Sequence, residues 1–387
     1  MAQLFGTSLW FSPNSAADSL VRQWGLSTSQ LGQITSATQL GFILGTLLLA
    51  TFSLADRFAA SRIFTISCLL GAVFNAWFAL GGMGFESSLV LRFAVGVTLA
   101  GIYPLGMKLI ISWSTRHTGA TLGLLVAMLT LGSALPHGVS ALGVGWSWQA
   151  VVLTSSVLAI IGALMVYLLG EGPHLPKAKR QAIQWGAVLK VFLDPKFRAS
   201  AAGYFGHMWE LYAFWILVPF LVADVLRSVL ATPDMQMTSA LSFIIMGVMG
   251  ASGAIVAGHF SQRFGSPKVA VAALFTSGLM CLLYPLIPDA LWPLKLVALV
   301  IWGLTVVSDS AQFSSTSAKI CPPSLVGGAL AIQNSIGFFI SIFSISLVMA
   351  QYETVGSLVT WYLLPGPVFG LILFWRLVKS ENTKLNL

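Results

Sequence analysis

Residues 54–62 read Leu-Ala-Asp-Arg-Phe-Ala-Ala-Ser-Arg, and residues 260–268 read Phe-Ser-Gln-Arg-Phe-Gly-Ser-Pro-Lys. Three positions of the two segments align at one constant offset: Arg57 with Arg263, Phe58 with Phe264, and Arg62 with Lys268. Each segment joins the end of one long apolar stretch to the start of the next. This duplication predicts two similar membrane-spanning halves, each with a short basic hairpin on the same side, which is the usual plan of a secondary transporter.

The composition points to a chain that lies in a membrane. Charged residues make up 8% of the 387 residues and hydrophobic residues 57%, whereas soluble proteins contain about 25% charged residues. A bilayer core roughly 30 Å thick needs about 20 apolar residues per helix. Twelve stretches meet this need: 1–21, 30–53, 63–83, 87–112, 118–142, 148–169, 200–224, 238–260, 268–287, 292–316, 325–350 and 355–377. We expect an all-α membrane protein with twelve transmembrane helices in two six-helix bundles.

The domain boundaries follow from the linker. We expect residues 1–169 to form the N-terminal six-helix bundle and residues 200–387 the C-terminal one. Residues 170–199 concentrate basic residues and prolines, which predicts a cytoplasmic linker with a short interfacial helix around 181–193. The first stretch is the most polar one, but without a helix over 1–21 the two halves would not match. It lacks the basic segment and cleavage site of a signal peptide.

The basic residues orient the chain. If the hairpin at 54–62 is cytoplasmic, fifteen of the 20 Lys and Arg residues lie inside: Arg57, Arg62, Arg116, Lys177, Lys179, Arg180, Lys190, Lys196, Arg198, Arg263, Lys268, Lys319, Arg376, Lys379 and Lys384. Only Arg22, Arg227 and Lys295 lie outside. This positive-inside bias places the protein in the cytoplasmic membrane as a multi-pass protein with both termini in the cytoplasm. The net charge of +8 then reflects topology and anionic lipid, so no nucleic-acid partner is expected.

Several classes of site have no signal in the sequence. Cys68, Cys281 and Cys321 lie far apart and form no CxxC spacing, so neither a disulfide framework nor a metal site is indicated. No phosphate-binding GxxxxGK[ST] motif occurs, so ATP-driven transport within this chain is not predicted. We expect no cofactor. The expected partners are a small-molecule substrate, protons and the lipid bilayer, and the expected oligomeric state is a monomer.

The hairpin motif resembles that of a known family. Leu54-Ala-Asp56-Arg57, followed by Arg62, is similar to the loop 2–3 signature G-x-L-A-D-r-x-G-r-k of the major facilitator superfamily. Two glycines of the signature are replaced, by Phe52 and Ala59. The second hairpin supplies both glycines, Gly258 and Gly265, whereas Gln262 replaces the acid.

Two further segments resemble motifs of the same family. Residues 92–96, Arg-Phe-Ala-Val-Gly, resemble R-x-x-q-G, with Val95 in place of glutamine. Residues 132–138 are a degenerate match to an antiporter motif on the fifth span that contains Gly-Pro; the glycine before Pro136 is missing. The resemblance covers the whole chain. It implies the fold and transport by alternating access, but it does not imply the substrate.

The hairpins are the predicted gating elements. Asp56 is a lone acid at a cytoplasmic helix end beside Arg57 and Arg62, and an ion-pair cluster there could join two helix ends in one state and release them in the other. Gln262, Arg263 and Lys268 are the matching residues of the second hairpin. The alternative interpretation is a solvated basic turn that only sets topology.

Charged groups within the spans are the predicted coupling residues. A charge at mid-bilayer costs at least ~2.5–3.5 kcal/mol, so it faces a cavity or a partner. Glu210 lies near the middle of its span and shares a helix face with His207, three residues earlier, so it is our first candidate for the proton carrier, with His207 as relay. Asp309 lies in an unusually polar run, and Arg92 could pair with Glu210, Asp309 or an anionic substrate. The alternatives are interhelical hydrogen bonds for Glu210 and helix packing for the polar run around Asp309.

Polar and aromatic residues on the spans are the predicted substrate-binding set: Asn14, Gln39, Tyr103, Lys108, His137, Trp209, Tyr212, Gln312, Gln333 and Asn334. Two of them have a strong alternative. Lys108 could extend to the cytoplasmic interface, and His137, beside Pro136, could be structural.

These residues favour a proton-coupled carrier of a small solute. The basic side chains expected near the cavity (Arg92, Lys108, His137 and His207) favour an anionic substrate. The first alternative is a drug–proton antiporter, suggested by the fifth-span motif and the aromatic content. The second is a membrane-embedded enzyme that uses His207, Glu210 or Asp309 for acid–base chemistry. An enzyme would not explain the internal repeat, so we expect no enzymatic activity.

Overall fold

The computed structural model describes residues 1–81, 84–113, 118–143, 145–174, 185–230 and 234–385; for 118–122 and 376–385 it describes the backbone only. Every regular element in these ranges is helical. Arg116, Lys177, Lys179 and Arg180, which help to orient the chain in the sequence, lie outside the described residues, as does the part of the predicted linker from 175 to 184.

The helices up to Leu169 are α1 (Ala2–Thr7), α2 (Ala17–Trp24), α3 (Thr28–Thr51), α4 (Leu54–Arg57), α5 (Ala60–Leu80), α6 (Gly84–Ala100), α7 (Tyr103–Trp113), α8 (Thr118–Leu142) and α9 (Trp148–Leu169). A short helix, α10 (Trp185–Val191), lies within the interfacial segment predicted at 181–193.

The later helices are α11 (Pro195–Arg227), α12 (Met235–Ser242), α13 (Gly250–Phe264), α14 (Ser266–Leu283), α15 (Trp292–Thr305), α16 (Ser310–Ile320), α17 (Val326–Val355) and α18 (Pro365–Leu385). A π-helical segment, Phe243–Met249, joins α12 to α13. Helix α11 begins earlier than the predicted span because Pro195 fits its first turn and Asp194 accepts a hydrogen bond from the Lys196 amide at 2.7 Å.

Ten helical stretches of the described chain are long and apolar enough to cross a membrane. The sequence predicts twelve, and two regions account for the difference. The stretch Val326–Trp375 counts once although it holds α17 and the start of α18, and residues 1–24 do not qualify because their helix is interrupted. An all-helical chain with many membrane-spanning stretches is therefore confirmed.

The single helix predicted over residues 1–21 is wrong. Helix α1 ends at Thr7, a 3-10 turn covers Asn14–Ala16, and α2 begins at Ala17. Pro13 explains the interruption, because it has no N–H to donate to the carbonyl of Leu9, four residues earlier. The break leaves carbonyl groups without their helical donors in the interior of the protein.

Two other predicted spans are also interrupted. Helices α6 and α7 meet at Gly101–Ile102, where Pro104 cannot donate to the carbonyl of Ala100. Helices α15 and α16 are separated by residues 306–309, where Ser308 donates its hydroxyl to the Leu304 carbonyl at 2.7 Å. Side-chain hydroxyls that bond local carbonyls in this way compete with the helix ladder.

The two parts of the chain pack against each other through long helices. Helix α3 lies along α17, and α8 lies along α12 and α13. Within the first part, α3 crosses α6 closely because glycines meet backbone at the crossing. A Cβ added at Gly96 would overlap the carbonyl oxygen of Thr38, and one added at Gly41 would overlap that of Phe93. Small residues at helix crossings give membrane helices their close packing.

We predict that Gly96→Ala destabilises the protein, by about 1–3 kcal/mol, because the new methyl group forces α3 and α6 apart. Unfolding midpoints in one detergent measure this effect. The matched control is Gly327→Ala on α17, where an added Cβ meets nothing within 4 Å and the lost backbone freedom should stabilise the helix slightly. Equal midpoints for the two variants would contradict the prediction.

Candidate functional site

A cavity of about 410 Å³ lies between the two parts of the chain. Its wall is mostly apolar and comes from α7, α8, α11, α16 and α17, with the residue Val307 just before α16. The lining residues that carry the argument below are Tyr103, Thr130, Tyr204, Met208, Tyr212, Trp215, Ser310, Ser314, Ser315, Lys319, Asn334 and Phe338. The wall reaches Lys319, which is exposed near the end of α16.

Buried aromatic rings close the opposite end of the cavity. Trp10 and Phe42 of the first part meet Phe338 of the second part, with ring centroids 5.6 and 4.5 Å apart. Tyr212 lies 5.8 Å from Trp10 and 5.1 Å from Phe338. Trp215 completes the group at 5.5 Å from Tyr212. We call these five residues the aromatic plug; each is at most 4% exposed.

Helix α16 presents a polar stripe to the cavity. Ser310, Ser314 and Ser315 line the wall, and Lys319 follows at the same helical spacing. None of the three hydroxyl groups has a hydrogen-bond partner among the described residues. Lys319 is the one charged side chain on the described wall of the cavity. The stripe therefore offers hydrogen-bond donors and one cation to a bound molecule.

A buried acid–base pair lies at the start of the same helix. Asp309 directly precedes α16, and its Oδ1 lies 2.7 Å from Nδ1 of His207 on α11. Both side chains are at most 1% exposed. Neither ring nitrogen of His207 and neither carboxylate oxygen of Asp309 has a well-aligned hydrogen bond in the described chain, so the pair is defined by this close approach.

Glu210 has different partners from His207, although the two residues lie three apart on α11. Its carboxylate accepts hydrogen bonds from Trp302 Nε1 at 2.6 Å, Ser277 Oγ at 2.9 Å and Cys281 Sγ at 3.4 Å. These donors come from α14 and α15, so Glu210 ties three helices of the second part together. It is not among the residues that line the cavity.

Arg92 holds the interrupted first helix. Its Nη2 donates to the carbonyls of Leu9 at 2.8 Å and Trp10 at 2.7 Å, and its Nη1 donates to Asn75 Oδ1 at 2.9 Å. Its Nε donates to Thr38 Oγ1 at 3.2 Å. The guanidinium is fully buried, and it pairs with neither Glu210 nor Asp309. Arg92 thus supplies donors to two carbonyls that lack their helical amide partners at the interruption.

Lys108 bonds the first hairpin instead of lining the cavity. Its Nζ lies 3.1 Å from Asp56 Oδ1 and also donates to the Ala55 carbonyl. Arg57 and Arg62, expected beside Asp56, are exposed and form no ion pair within the described residues. The sequence missed the Asp56–Lys108 bridge because the two residues are 52 positions apart.

The second hairpin is built differently. Gly265 joins α13 to α14 with φ of 86°, a conformation that glycine adopts without strain. The Arg263 guanidinium lies 5.2 Å from the Phe264 ring. Gln262 and Lys268 flank this turn, and no ion pair involves them in the described chain.

Three of the predicted substrate-binding residues line the cavity: Tyr103, Tyr212 and Asn334. Two others have partners elsewhere, since Trp209 donates to the Tyr362 carbonyl at 2.9 Å and Asn14 donates to Thr35 Oγ1 at 3.0 Å.

The remaining predicted residues are buried outside the cavity wall. Gln39, Gln312 and Gln333 are each at most 3% exposed, and the amide groups of Gln39 and Gln333 have no partner in the described chain. His137 is likewise buried and lines a separate cavity of about 100 Å³ with Asn14 and Asp18.

Sequence reasoning missed Lys319, Tyr204 and Phe338 as cavity residues. Lys319 is one more cytoplasmic charge in the topology, and Tyr204 and Phe338 are ordinary apolar positions of their spans. The polar stripe of α16 can be recognised in the sequence, because Ser310, Ser314, Ser315 and Lys319 share one helix face.

We predict that Arg92→Met lowers the free energy of unfolding by about 2–4 kcal/mol, because it removes the side-chain donor of the Trp10 carbonyl and leaves the Leu9 carbonyl and Asn75 Oδ1 to share the Ser12 hydroxyl. Arg92→Lys should rescue little of the loss, since one ammonium group cannot replace the guanidinium fork. Unfolding midpoints in detergent measure both, with the exposed Arg198→Met as control. A normal midpoint for Arg92→Met would show that Arg92 does not support the fold.

The comparisons with known proteins agree with this architecture. The family described as the Major Facilitator Superfamily matches residues 1–346. The chain is 26% identical over 274 residues to the 3-(3-hydroxy-phenyl)propionate transporter of Escherichia coli K12, covering 70% of this chain and 65% of that protein. It is 24% identical over 297 residues to the gallate transporter of Pseudomonas putida, covering 69% of this chain and 64% of that protein.

A third relative is the probable L-galactonate transporter of Escherichia coli K12, 24% identical over 343 residues, with 79% of this chain and 74% of that protein covered. The chain thus spans slightly less than two thirds of the length of the first two relatives. The family match covers most of the chain and agrees with its helices and candidate spans: the protein is a multi-pass membrane protein of the Major Facilitator Superfamily.

Proposed function

We propose that this protein is a proton-coupled secondary transporter that moves a small organic anion across the cytoplasmic membrane by alternating access. The observation that carries the proposal is a cavity between the two parts of the chain that extends from buried aromatic residues to exposed Lys319. Three residues of the aromatic plug, Tyr212, Trp215 and Phe338, line this cavity. Residues 54–57 and Gly265 lie at helix ends, as the hairpins of such a carrier would.

The proposal includes twelve membrane crossings in two six-helix bundles. Residues 1–24 form an interrupted first crossing, and α17 and α18 are two crossings within one apolar stretch. The bundles comprise residues 1–169 and 200–387, with 170–199 as a cytoplasmic linker. Both termini then lie in the cytoplasm, which agrees with the positive-inside bias. The cavity in this conformation faces the cytoplasm, and the carrier acts as a monomer.

The substrate class rests on the cavity and on the relatives. The three relatives are named for hydroxyphenylpropionate, gallate and galactonate, which are all carboxylates at neutral pH. In this chain Arg92, Lys108, His137 and His207 all lie off the cavity wall, so they do not supply the cation that such a substrate needs. Lys319 supplies this cation instead, and the hydroxyl groups of the α16 stripe supply hydrogen-bond donors.

The pair Asp309–His207 is the best candidate for proton coupling. It adjoins the stripe through Ser310, and a buried acid beside a titratable base can exchange one proton as the cavity changes its access. The sequence favours Glu210 for this role. The geometry supports a structural role for Glu210, because three side-chain donors from α14 and α15 already bond its carboxylate.

The antiporter alternative is less well supported by this geometry. A pump for cationic drugs needs an acid that faces its cavity, whereas the charged side chain on the described wall is Lys319. An enzyme is disfavoured because the relatives are named as transporters and the duplicated hairpins have no catalytic purpose. Efflux of ethidium driven by a proton gradient would support the antiporter instead.

We predict that Asp309→Asn abolishes uphill accumulation but leaves substrate exchange across the membrane intact, because the amide keeps the shape and cannot ionise. The measurement uses proteoliposomes with a pH gradient and radiolabelled 4-hydroxybenzoate, 3-phenylpropionate or gluconate. Glu210→Gln is the matched control and should still accumulate substrate. If instead Glu210→Gln loses accumulation and Asp309→Asn keeps it, Glu210 is the proton carrier.

The hairpins are proposed to control the change of access. We predict that Asp56→Asn lowers the maximal transport rate several-fold and changes stability by less than about 1 kcal/mol, since its bridge to Lys108 is partly exposed. Lys108→Met should have the same effect, and the double variant should be no slower than either single one. Exposed Glu86→Gln on α6 is the control. Additive losses in the double variant would show that the two residues act separately.

A further inference from the structure

We propose that the cavity takes an aromatic monocarboxylate, with its ring against the aromatic plug and its carboxylate on the α16 stripe and Lys319. This inference rests on the proposed function and names the substrate class within it. The relatives are named for two different classes of substrate, aromatic acids and a polyhydroxylated sugar acid. The residues that line the cavity are therefore the evidence that distinguishes the two classes.

The closed end of the cavity suits an aromatic ring. Tyr212, Trp215 and Phe338 line it, and their own ring centroids are 5.1–5.5 Å apart, so their faces and edges are arranged for aromatic contacts. The Trp215 Nε1 group is buried and has no hydrogen-bond partner in the described chain. A buried N–H without an acceptor is uncommon, and a ring hydroxyl or ether oxygen of a ligand would satisfy it.

The apolar wall disfavours a sugar acid. A sugar acid carries a hydroxyl group on nearly every carbon, and each one that loses water without a new partner costs roughly 1–3 kcal/mol. Most of the wall is apolar, including Met107, Val126, Leu129, Met208 and Leu211. The one cation and three of the hydroxyl groups lie on α16, whereas α7 and α8 each contribute a single hydroxyl group to the wall. This asymmetry fits a ligand with one polar end and one apolar body.

The polar side of the cavity suits a single carboxylate. Ser310 and Ser314 are one helical turn apart, and Ser315 and Lys319 continue the same face toward the exposed end. Asn334 adds an amide from α17. Hydroxyl donors with one ammonium group bind a carboxylate through charge-assisted hydrogen bonds. The single cation on the described wall matches a monocarboxylate better than a dicarboxylate.

The size of the cavity allows such a ligand. Its volume of about 410 Å³ falls in the usual range for small-molecule sites, about 300–1,000 Å³. The distance along α16 from Ser310 to Lys319 is about 13 Å at ~1.5 Å per residue. A ring with a short acid tail can therefore contact the plug at one end and the stripe at the other.

Binding to the purified full-length protein tests the proposal. The probes are 4-hydroxybenzoate, 3-phenylpropionate, the neutral 4-hydroxybenzamide and the sugar acid gluconate, measured by titration calorimetry in detergent. We expect saturable binding of at least one aromatic acid, with gluconate and the benzamide at least tenfold weaker. Gluconate binding as tight as that of both aromatic acids would overturn the aromatic assignment but leave an organic-anion carrier intact. If no acid binds and none is taken up by proteoliposomes, the proposed function itself fails.

Two matched pairs of variants locate the two ends of the ligand. Phe338→Leu should weaken binding of the aromatic acid about tenfold, whereas Phe339→Leu, on the exposed face of the same helix, should not. Lys319→Gln should weaken it similarly and leave the weak benzamide binding unchanged, whereas Lys190→Gln, at an exposed position of α10 outside the cavity, should change neither. Phe338→Tyr keeps the ring and should retain binding. Equal affinities within either matched pair would overturn the corresponding contact.

Discussion

Inside a membrane, every backbone carbonyl needs a hydrogen-bond donor from the protein itself, and the interrupted first helix leaves two carbonyls that depend on Arg92. Pro13 removes the amide that would bond the Leu9 carbonyl, and the Arg92 guanidinium replaces it while also reaching Trp10, Asn75 and Thr38. The break positions Trp10 against Tyr212 and Phe338. The closed end of the cavity therefore depends on one buried side chain that never touches the cavity wall.

Because Arg92 bonds the interrupted first helix, it is not available as a cation in the cavity. Arg92, which the sequence offers as a possible partner of an anionic substrate, already donates to neutral acceptors. Lys108 already bonds Asp56 and Ala55. The cavity is left with Lys319 and a row of hydroxyl groups. One exposed cation beside hydroxyl groups fits the organic-anion carrier that we propose, because a carrier must release its substrate as well as bind it.

The sequence predicts the helical membrane fold well because hydropathy and positive charges report burial in lipid directly, and the hairpin repeat at 54–62 and 260–268 reports the duplication. It predicts the site less well. Helical spacing places His207 and Glu210 on one face. It does not show that the neighbour of His207 is Asp309, just before α16, or that the partners of Glu210 come from α14 and α15. Pro13 is visible in the sequence, yet its consequence depends on Arg92, which approaches from a different helix.

The seam between α3 and α17 contains a buried polar group that makes the contact less stable. Gln39 lies two helical turns after Gly32, on the face that packs against Met349, and both polar atoms of its buried amide lack partners in the described chain. Such a group costs about 1–3 kcal/mol while it stays dry. Parting the two helices would let water reach it and recover that energy, which offsets part of the cost of exposing apolar surface. The seam is thus closed, but less tightly than an all-apolar contact would be, which would ease the change of access that we propose.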